Sequence, residues 1–304
     1  MLSFFKKIYW IIFSTHQWFI LYKDKSSNEW IRLKQPSNVS RADTFIVKEN
    51  DKYFIFFEEF DIKERHGYLC VGELDKIKKT LDNVQICLKK DYHLSFPNVF
   101  KYLDKYYMIP ETHANNSIDL YEFEQFPYKL KKIKTLVCNI NAADSVLVQK
   151  DNLWFLFTNI YTNVNCLHSE NLSIFTSDHL LNKDFKQLHK NPVVADKTYS
   201  RMGGQFYSEN NKLYRVSQDC KVRYGYKVNI MEVDSLTVNT YNEHLHKEIY
   251  PPKGYIAFHT LNSCEDIEVA DGKIIVKTPK VVLDNIVILF KIIIKKLIGS
   301  VNVK

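Results

Sequence analysis

The chain has 304 residues, 45% of them hydrophobic and 14% aromatic, with a formal net charge of +7. This is ample material for a packed core, and with only 8 Gly and 8 Pro it excludes collagen-like, low-complexity and disordered chains. The positive excess comes mainly from Lys dispersed along the chain, without the clustered Arg and interleaved aromatics of a base-stacking groove, which argues against nucleic acid as a partner.

In chain order, Met1 to Tyr22 is apolar and aromatic, with Lys6 and Lys7 inside it. Its longest apolar run, Ile8 to Phe13, is too short to span a bilayer, and no small-residue cleavage site follows, so it does not read as a signal peptide. Residues 1–29 are set apart as an N-terminal segment whose strand, Trp18 to Tyr22, would pair into the last repeat and close a ring.

Five similar units follow. The first is Arg41 to Val47, a turn at Asn50-Asp51-Lys52, and Tyr53 to Glu59. The second is Phe96 to Tyr102, a turn at Leu103-Asp104-Lys105, and Tyr106 to Thr112; the third is Ala142 to Val148, a turn at Lys150-Asp151-Asn152, and Leu153 to Asn159. The fourth runs from Arg201 to Tyr207 and, after Glu209 to Lys212, from Leu213 to Asp219. The fifth opens at His259-Thr260 and closes around a turn at Ala270-Asp271-Gly272. The second strands at Tyr53, Tyr106, Trp154, Leu213 and Lys273 are spaced by 53, 48, 59 and 60 residues, room for about four strands each, the content of a propeller blade. Outer strands are expected at Gly67 to Gly72, Ile118 to Phe123, Leu172 to Phe175 and Lys227 to Val233. The prediction is an all-β, five-bladed β-propeller over residues 30–278.

Residues 279–304 differ. Val281 to Ile298 is nearly all Ile, Val, Leu and Phe, broken by Asp284, Asn285, Lys291, Lys295 and Lys296. This predicts a basic amphipathic helix, either lying peripherally on a membrane surface or packed on the propeller; the central charges argue against a span. The six cysteines, at 70, 87, 138, 166, 220 and 264, form no Cys-x-x-Cys pair and read as reduced, mostly buried thiols of a cytoplasmic protein.

In a propeller the inner strands begin, and the second strands end, at the same mouth of the axis. That geometry gathers Arg41, Asp43, Asn98, Asp144, Arg201 and His259 from the first zone, and Glu58, Glu59, Glu111, Thr112, Asn159, Gln218 and Asp219 from the second, with His93 and Ser95 on the rim. Polar groups interrupting apolar strands cost stability unless they are satisfied or used. Asp43, Glu59, Glu111 and Asp144 are the candidate catalytic carboxylates, able to divide acid and base roles if their environments separate their pKa values. Arg201 and His259 could hold a phosphate or carboxylate, and Tyr107, Tyr199 and Tyr224 could stack on sugar faces, although core packing is the more ordinary role of any single Tyr. No Walker loop or Gly-x-Gly-x-x-Gly is present, no Asp-x-Asp anchors a metal, and His244-Leu245-His246 reads as a solvated strand. No cofactor is predicted, and metal dependence is left open.

Ala42-Asp43-Thr44-Phe45, Phe57-Glu58-Glu59, His93-Leu94-Ser95-Phe96-Pro97, Met108-Ile109-Pro110-Glu111-Thr112, Ala143-Asp144, Arg201-Met202-Gly203-Gly204, Gln218-Asp219, Tyr224-Gly225 and His259-Thr260 together resemble the N-terminal propeller domain of plant glucosamine inositolphosphorylceramide transferases. The resemblance covers roughly residues 30–275 and includes bacterial stand-alone relatives found in surface-polysaccharide settings. It departs at Thr44, where the family shows Pro, and the separate transferase domain that follows the plant propeller has no counterpart here. The architecture also resembles five-bladed glycoside hydrolases and phosphorylases. By that likeness Asp43, Asp144 and one of Glu58, Glu59 or Glu111 are the working carboxylates. The resemblance implies a glycosyltransferase of surface glycan or glycolipid assembly, with an activated sugar donor and a glycan or glycolipid acceptor as partners. The basic C-terminal helix, if it lies on a membrane, would give the protein a peripheral place on the inner membrane face. A glycoside hydrolase or phosphorylase and a non-catalytic glycan-binding module are the alternatives.

Overall fold

The computed structural model describes residues 15–161 and 170–276. Five antiparallel sheets are arranged as the blades of a propeller. From the axis outward, blade I is Val39–Glu49, Lys52–Asp61, His66–Asp75 and Thr80–Leu88. Blade II is Ser95–Tyr102, Lys105–Glu111, Ser117–Gln125 and Lys129–Cys138. Blade III is Ala142–Lys150, Leu153–Ile160, Leu172–Ser177 and Lys186–Gln187. In blade IV the inner strand is split into Arg201–Met202 and Tyr207–Glu209, both paired with Lys212–Asp219, and Lys227–Leu236 and Tyr241–Ile249 lie outside. Blade V is Leu261–Cys264, Ile267–Val276, Thr15–Asp24 and Ile31–Arg32.

Local chemistry explains the hairpins. Asn50-Asp51, Leu103-Asp104, Asp151-Asn152 and Asn210-Asn211 all have positive φ at both central positions, the backbone of a type I′ turn, whose twist matches the flanking strands. Between blades the apolar strand faces interlock, as where Phe45 meets Phe96 edge to face at 4.9 Å and Phe56 meets Phe123 at 5.5 Å.

One expectation is corrected. The turn of blade V is at Glu265-Asp266, not Ala270-Asp271-Gly272; Asp271 lies inside the second strand and is fully buried. An Asp-Gly pair imitates a turn, but here the apolar partners Ile267, Val269 and Ala270 hold the strand straight through it. The ring-closing strand expected in residues 1–29 is present: Thr15–Asp24 pairs along its full length with Ile267–Val276, from Thr15 opposite Val276 to Asp24 opposite Ile267. The predicted helix at 279–304 lies outside the described residues, as does Cys166. Of the other cysteines, Cys70 and Cys87 are buried, Cys138 is exposed, and all five are free thiols. Among the described residues no helix is long and apolar enough to cross a membrane.

Candidate active site

The same irregularity shapes the inner strands of blades I, II and III. The ladder skips between Ala42 and Phe45, Ser95 and Asn98, and Ala143 and Val146. Within each bulge one residue is left-handed: Asp43 at φ 56°, Phe96 at 45° and Asp144 at 51°. The bulge turns a strand residue toward the axis and frees backbone N–H groups, which a polar side chain from the preceding blade accepts. Asp271 Oδ2 takes Asp43 N–H at 2.7 Å, Asp43 Oδ2 takes Phe96 N–H at 3.2 Å, Glu111 Oε2 takes Asp144 N–H at 3.1 Å and Asn159 Oδ1 takes Met202 N–H at 3.0 Å. The Gly203 carbonyl accepts Leu261 N–H at 2.9 Å and carries the relay into blade V.

The remaining oxygens face an axial pocket of about 170 Å³ lined by Trp18, Ala42, Asp43, Glu58, His93, Ser95, Glu111, His113, Asp144, Arg201, Tyr224 and His259. His259 is held between two carboxylates, with Nδ1 2.6 Å from Asp271 Oδ1 and Nε2 3.1 Å from Asp43 Oδ1. Burial opposes its charge, but Asp271 and Asp43 outweigh that and push its pKa up to about 10, so both ring nitrogens donate. Trp18 stacks on the imidazolium with ring centroids 4.2 Å apart. Gly225, at φ 61°, permits the Tyr224 loop to approach from the other side, where a Cβ would stand 2.4 Å from His259 Cβ. Arg201 Nε lies 2.7 Å from Asp144 Oδ2 without the alignment of a hydrogen bond, and its guanidinium packs over Tyr224 at 5.0 Å.

The carboxyl groups separate by environment. Burial, reinforced by Asp43 and Glu111, raises Glu58 well above the ordinary carboxylate range, which favours its protonated form. Burial also raises Asp144, against the opposing pull of Arg201. Glu111 goes the other way: burial would raise it, but the His113 hydrogen bond at 2.9 Å, Arg201 and the Asp144 contact hold it at about 2. His93, 3.4 Å from Glu58 and lowered chiefly by burial, is neutral. Gly67 makes room for this pair, since a Cβ there would lie 2.4 Å from His93 Cε1 and 2.6 Å from Glu58 Oε1.

Of the residues expected at the site, Asp43, Glu58, His93, Ser95, Glu111, Asp144, Arg201, Tyr224 and His259 line the pocket. Others do not. Arg41 and Glu59 pair with each other outside it, Nε to Oε2 at 2.8 Å, with Tyr68 hydroxyl on Oε1 at 3.0 Å, because strand alternation sends Glu59 to the face opposite Glu58. Gln218 stands behind the wall, donating to Asp144 Oδ2 at 3.2 Å and the Met202 carbonyl at 2.6 Å. Asn98 bonds the Ser145 carbonyl and Gln205 deeper along the axis, and Asp219 accepts Lys221 N–H beside Lys227. Tyr107 is a core residue. Sequence reasoning missed Trp18, His113 and Asp271. His113 lies two residues beyond Glu111, just past the recognised motif, whereas Trp18 joins the pocket only through ring closure.

Asp43, His259 and Asp271 have ligand atoms within 4.8 Å of one another, a spacing that suits a metal. Each ring nitrogen already meets one carboxylate, so the cation that this cluster is built around is the imidazolium itself. A larger groove of about 400 Å³ lies between blades IV and V on the side of the hairpin turns, near Lys25, Glu209 and Lys247, away from these carboxylates.

Residues 5–254 match the family described as glucosamine inositolphosphorylceramide transferase 1, N-terminal. The chain belongs to this family. Proteins named glucosamine inositolphosphorylceramide transferase 1 are 33% identical over 210 residues in Oryza sativa subsp. japonica and 30% identical over 214 residues in Arabidopsis thaliana, in each case over 68% of this chain. The chain spans only 28% and 27% of the length of those relatives. Among solved structures, a family 117 glycoside hydrolase from Zobellia galactanivorans superposes with a TM-score of 0.54 at 10% identity, covering 86% of this chain and 91% of that one. A β-xylosidase, RS223, gives 0.53 at 11% identity over 73% and 82%. At such identities these likenesses show the fold alone.

Proposed function

We propose that the chain is a carbohydrate-active enzyme that transfers a glycosyl group at a glycosidic bond of a glycan or glycolipid, with one sugar unit seated in the axial pocket. The observation that carries this reading is the gathering of carboxyl groups from different blades in one small pocket, with Glu58 raised by burial and Glu111 held low by His113 and Arg201, beside Asp43 on His259. At about 170 Å³ the pocket is smaller than the ~300–1,000 Å³ of sites for drug-sized ligands, a scale that suits a single ring.

Glu58 gives its proton to the glycosidic oxygen as the bond to the anomeric carbon breaks, and the positive charge developing on the sugar is stabilised by Asp43 and Glu111. The acceptor hydroxyl then forms the new bond while its proton returns to the Glu58 carboxylate. Glu111 is too weak a base for proton abstraction near neutral pH, and its part is electrostatic. Arg201 and His259 are already charge-compensated, which favours a neutral sugar over a diphosphate as their neighbour.

A nucleotide-sugar glycosyltransferase is the second reading, favoured by family membership; Arg201 would then turn from Asp144 toward the donor phosphate. No cofactor is invoked in either case. We place the protein in the cytoplasm, a setting with which its free thiols agree. Incubating the protein with soluble glycans and a hydroxyl acceptor, with and without nucleotide sugars, tests these readings. Donor-independent transfer or hydrolysis that Glu58→Gln abolishes is the expected result. Strict dependence on a nucleotide sugar would replace the first reading with the second, and glycan binding without turnover under any donor would reduce the site to a binding module.

A further inference from the structure

Three blades repeat one arrangement of ion pairs, and blade IV changes its chemistry. Near their ends the third strands of blades I, II and IV carry two acids around one apolar residue: Glu73-Leu74-Asp75, Glu122-Phe123-Glu124 and Glu232-Val233-Asp234. The first acid meets the lysine that opens the second strand, Lys52 with Glu73 at 2.9 Å, Lys105 with Glu122 at 2.7 Å and Lys212 with Glu232 at 2.7 Å. The second acid meets another lysine in blades I and II, Asp75 with Lys78 and Glu124 with Lys129, each at 3.0 Å. In blade IV an imidazole takes that place: His244 Nδ1 lies 2.9 and 3.0 Å from the two oxygens of Asp234. A second imidazole follows, with His246 Nδ1 3.7 Å from Glu232 Oε2.

The exchange matters because a lysine ammonium has no lone pair to give, whereas a neutral imidazole is a metal ligand. The backbone gathers these donors. Glu232 stands directly opposite His244, and the ladder skips Asp234 on one strand and His246 on the other, bulges of the kind that re-aim side chains. Glu232, Asp234 and His244 offer ligand atoms that all lie within 4.8 Å of one another. Tetrahedral bonds of 2.0–2.1 Å set neighbouring ligand atoms ~3.3 Å apart. The nitrogen–oxygen contacts of 2.9 and 3.7 Å bracket that spacing. Supporting groups are also in place: Lys212 occupies Glu232 Oε1, while Tyr214 hydroxyl reaches Oε2 at 3.5 Å and its ring packs on His246 with centroids 5.0 Å apart.

The geometry points to a surface site for a divalent metal of the zinc type, with Asp234, His244, His246 and Oε2 of Glu232 as its ligands. Imidazole with carboxylate is a donor set that zinc accepts, whereas magnesium and calcium take oxygen ligands. The metal joins Lys227–Leu236 to Tyr241–Ile249, the outermost strand of blade IV, and so clips an edge strand to its sheet. None of the four ligands lines the axial pocket, and the site is independent of the glycan reading.

The test uses the full chain, stripped with a chelator and titrated with zinc chloride against a colorimetric zinc indicator, with cobalt(II) as a spectroscopic stand-in. Zinc binding that raises the melting temperature, and the visible absorption of tetrahedral cobalt, are the expected results. His244→Lys installs the cation that blades I and II use. It is expected to keep the pair with Asp234 and the metal-free melting temperature, yet to lose more zinc affinity than the ~10–100-fold that an outer-shell partner is worth. His246→Ala is expected to weaken zinc in the same direction, and His189→Ala, at an exposed histidine of blade III, to leave it unchanged. Failure of the wild-type protein to bind zinc, or undiminished zinc affinity in His244→Lys, overturns the proposal. Zinc that survives His244→Lys but is lost in His259→Gln overturns it too, by moving the metal to Asp43, His259 and Asp271.

Discussion

Three buried arginines meet carboxylates in this propeller, and two of them differ from the third. Arg215 is fully buried: its Nε and Nη2 contact Glu243 at 2.8 and 2.5 Å, Nη2 also donates to the Tyr199 carbonyl at 2.7 Å, and Tyr241 hydroxyl donates to the same carboxylate. Arg41 is gripped by Glu59 in a similar way. Arg201 touches Asp144 with Nε misaligned and Nη2 3.5 Å from Tyr224 hydroxyl, and it looks into a pocket. Saturated pairs hold blades together; the under-used guanidinium stands where a ligand can complete its hydrogen bonds.

The sharpest way to break this contrast is to remove a saturated arginine. Arg215→Ala leaves Glu243 buried without its cation and is expected to cost about 3–5 kcal/mol in urea unfolding, whereas Arg201→Ala costs far less stability but abolishes sugar binding. Equal losses of stability would erase the distinction. Next come the adjacent glutamates of blade I. Glu58→Gln is expected to lower turnover by a factor on the order of 10²–10⁴, while Glu59→Gln keeps turnover near wild type and costs about 1.5–3 kcal/mol of stability. The opposite pattern would return catalysis to Glu59.

pH separates the pocket groups by sign. His259, raised from 6.5 to about 10, contributes stability that is complete below its ordinary value and lost as pH climbs through about 10. His259→Gln should flatten that alkaline limb. Glu111, lowered from 4.5 to about 2, contributes stability present above its ordinary value and lost as pH falls toward 2, and Glu111→Gln should flatten the acid limb. Glu58 is raised, so its contribution is complete below 4.5 and disappears as pH rises through its folded value; Glu58→Gln should therefore be the more stable protein at neutral pH. Thermal melts between pH 3 and 10 read all three. The smallest effect is expected at Thr44, whose N–H donates to Thr260 Oγ1 at 3.3 Å across the blade I–V junction. Thr44→Pro removes that donor and should cost about 0.5–1.5 kcal/mol.

The hairpins were legible because the Asn- and Asp-rich turns announce themselves and the flanking strands are apolar on both faces. Blade V was misplaced because Asp271-Gly272 has turn composition but a buried strand environment. Within the site, alternation along a strand predicts that Arg41 and Asp43 face one way. The bulge breaks that parity, bringing Asp43 to the pocket and leaving Arg41 opposite Glu59. Glu58 and Glu59 could not be ranked for the same reason. Trp18 and Asp271 depend on contacts across more than 200 residues of chain, which no local pattern encodes.

The order of synthesis gives ring closure a further meaning. Asp43, Glu58 and Glu111 are made early, yet the imidazolium that compensates Asp43 and the Asp271 that supports it lie near the end of the described chain. A nascent chain lacking blade V has His113 and Arg201 for Glu111 and Asp144 but leaves Asp43 without its imidazolium partner. The final strand that locks the circle thus also completes the charge pattern of the pocket, and under the proposed function activity would report that the last blade has zipped to the first strand.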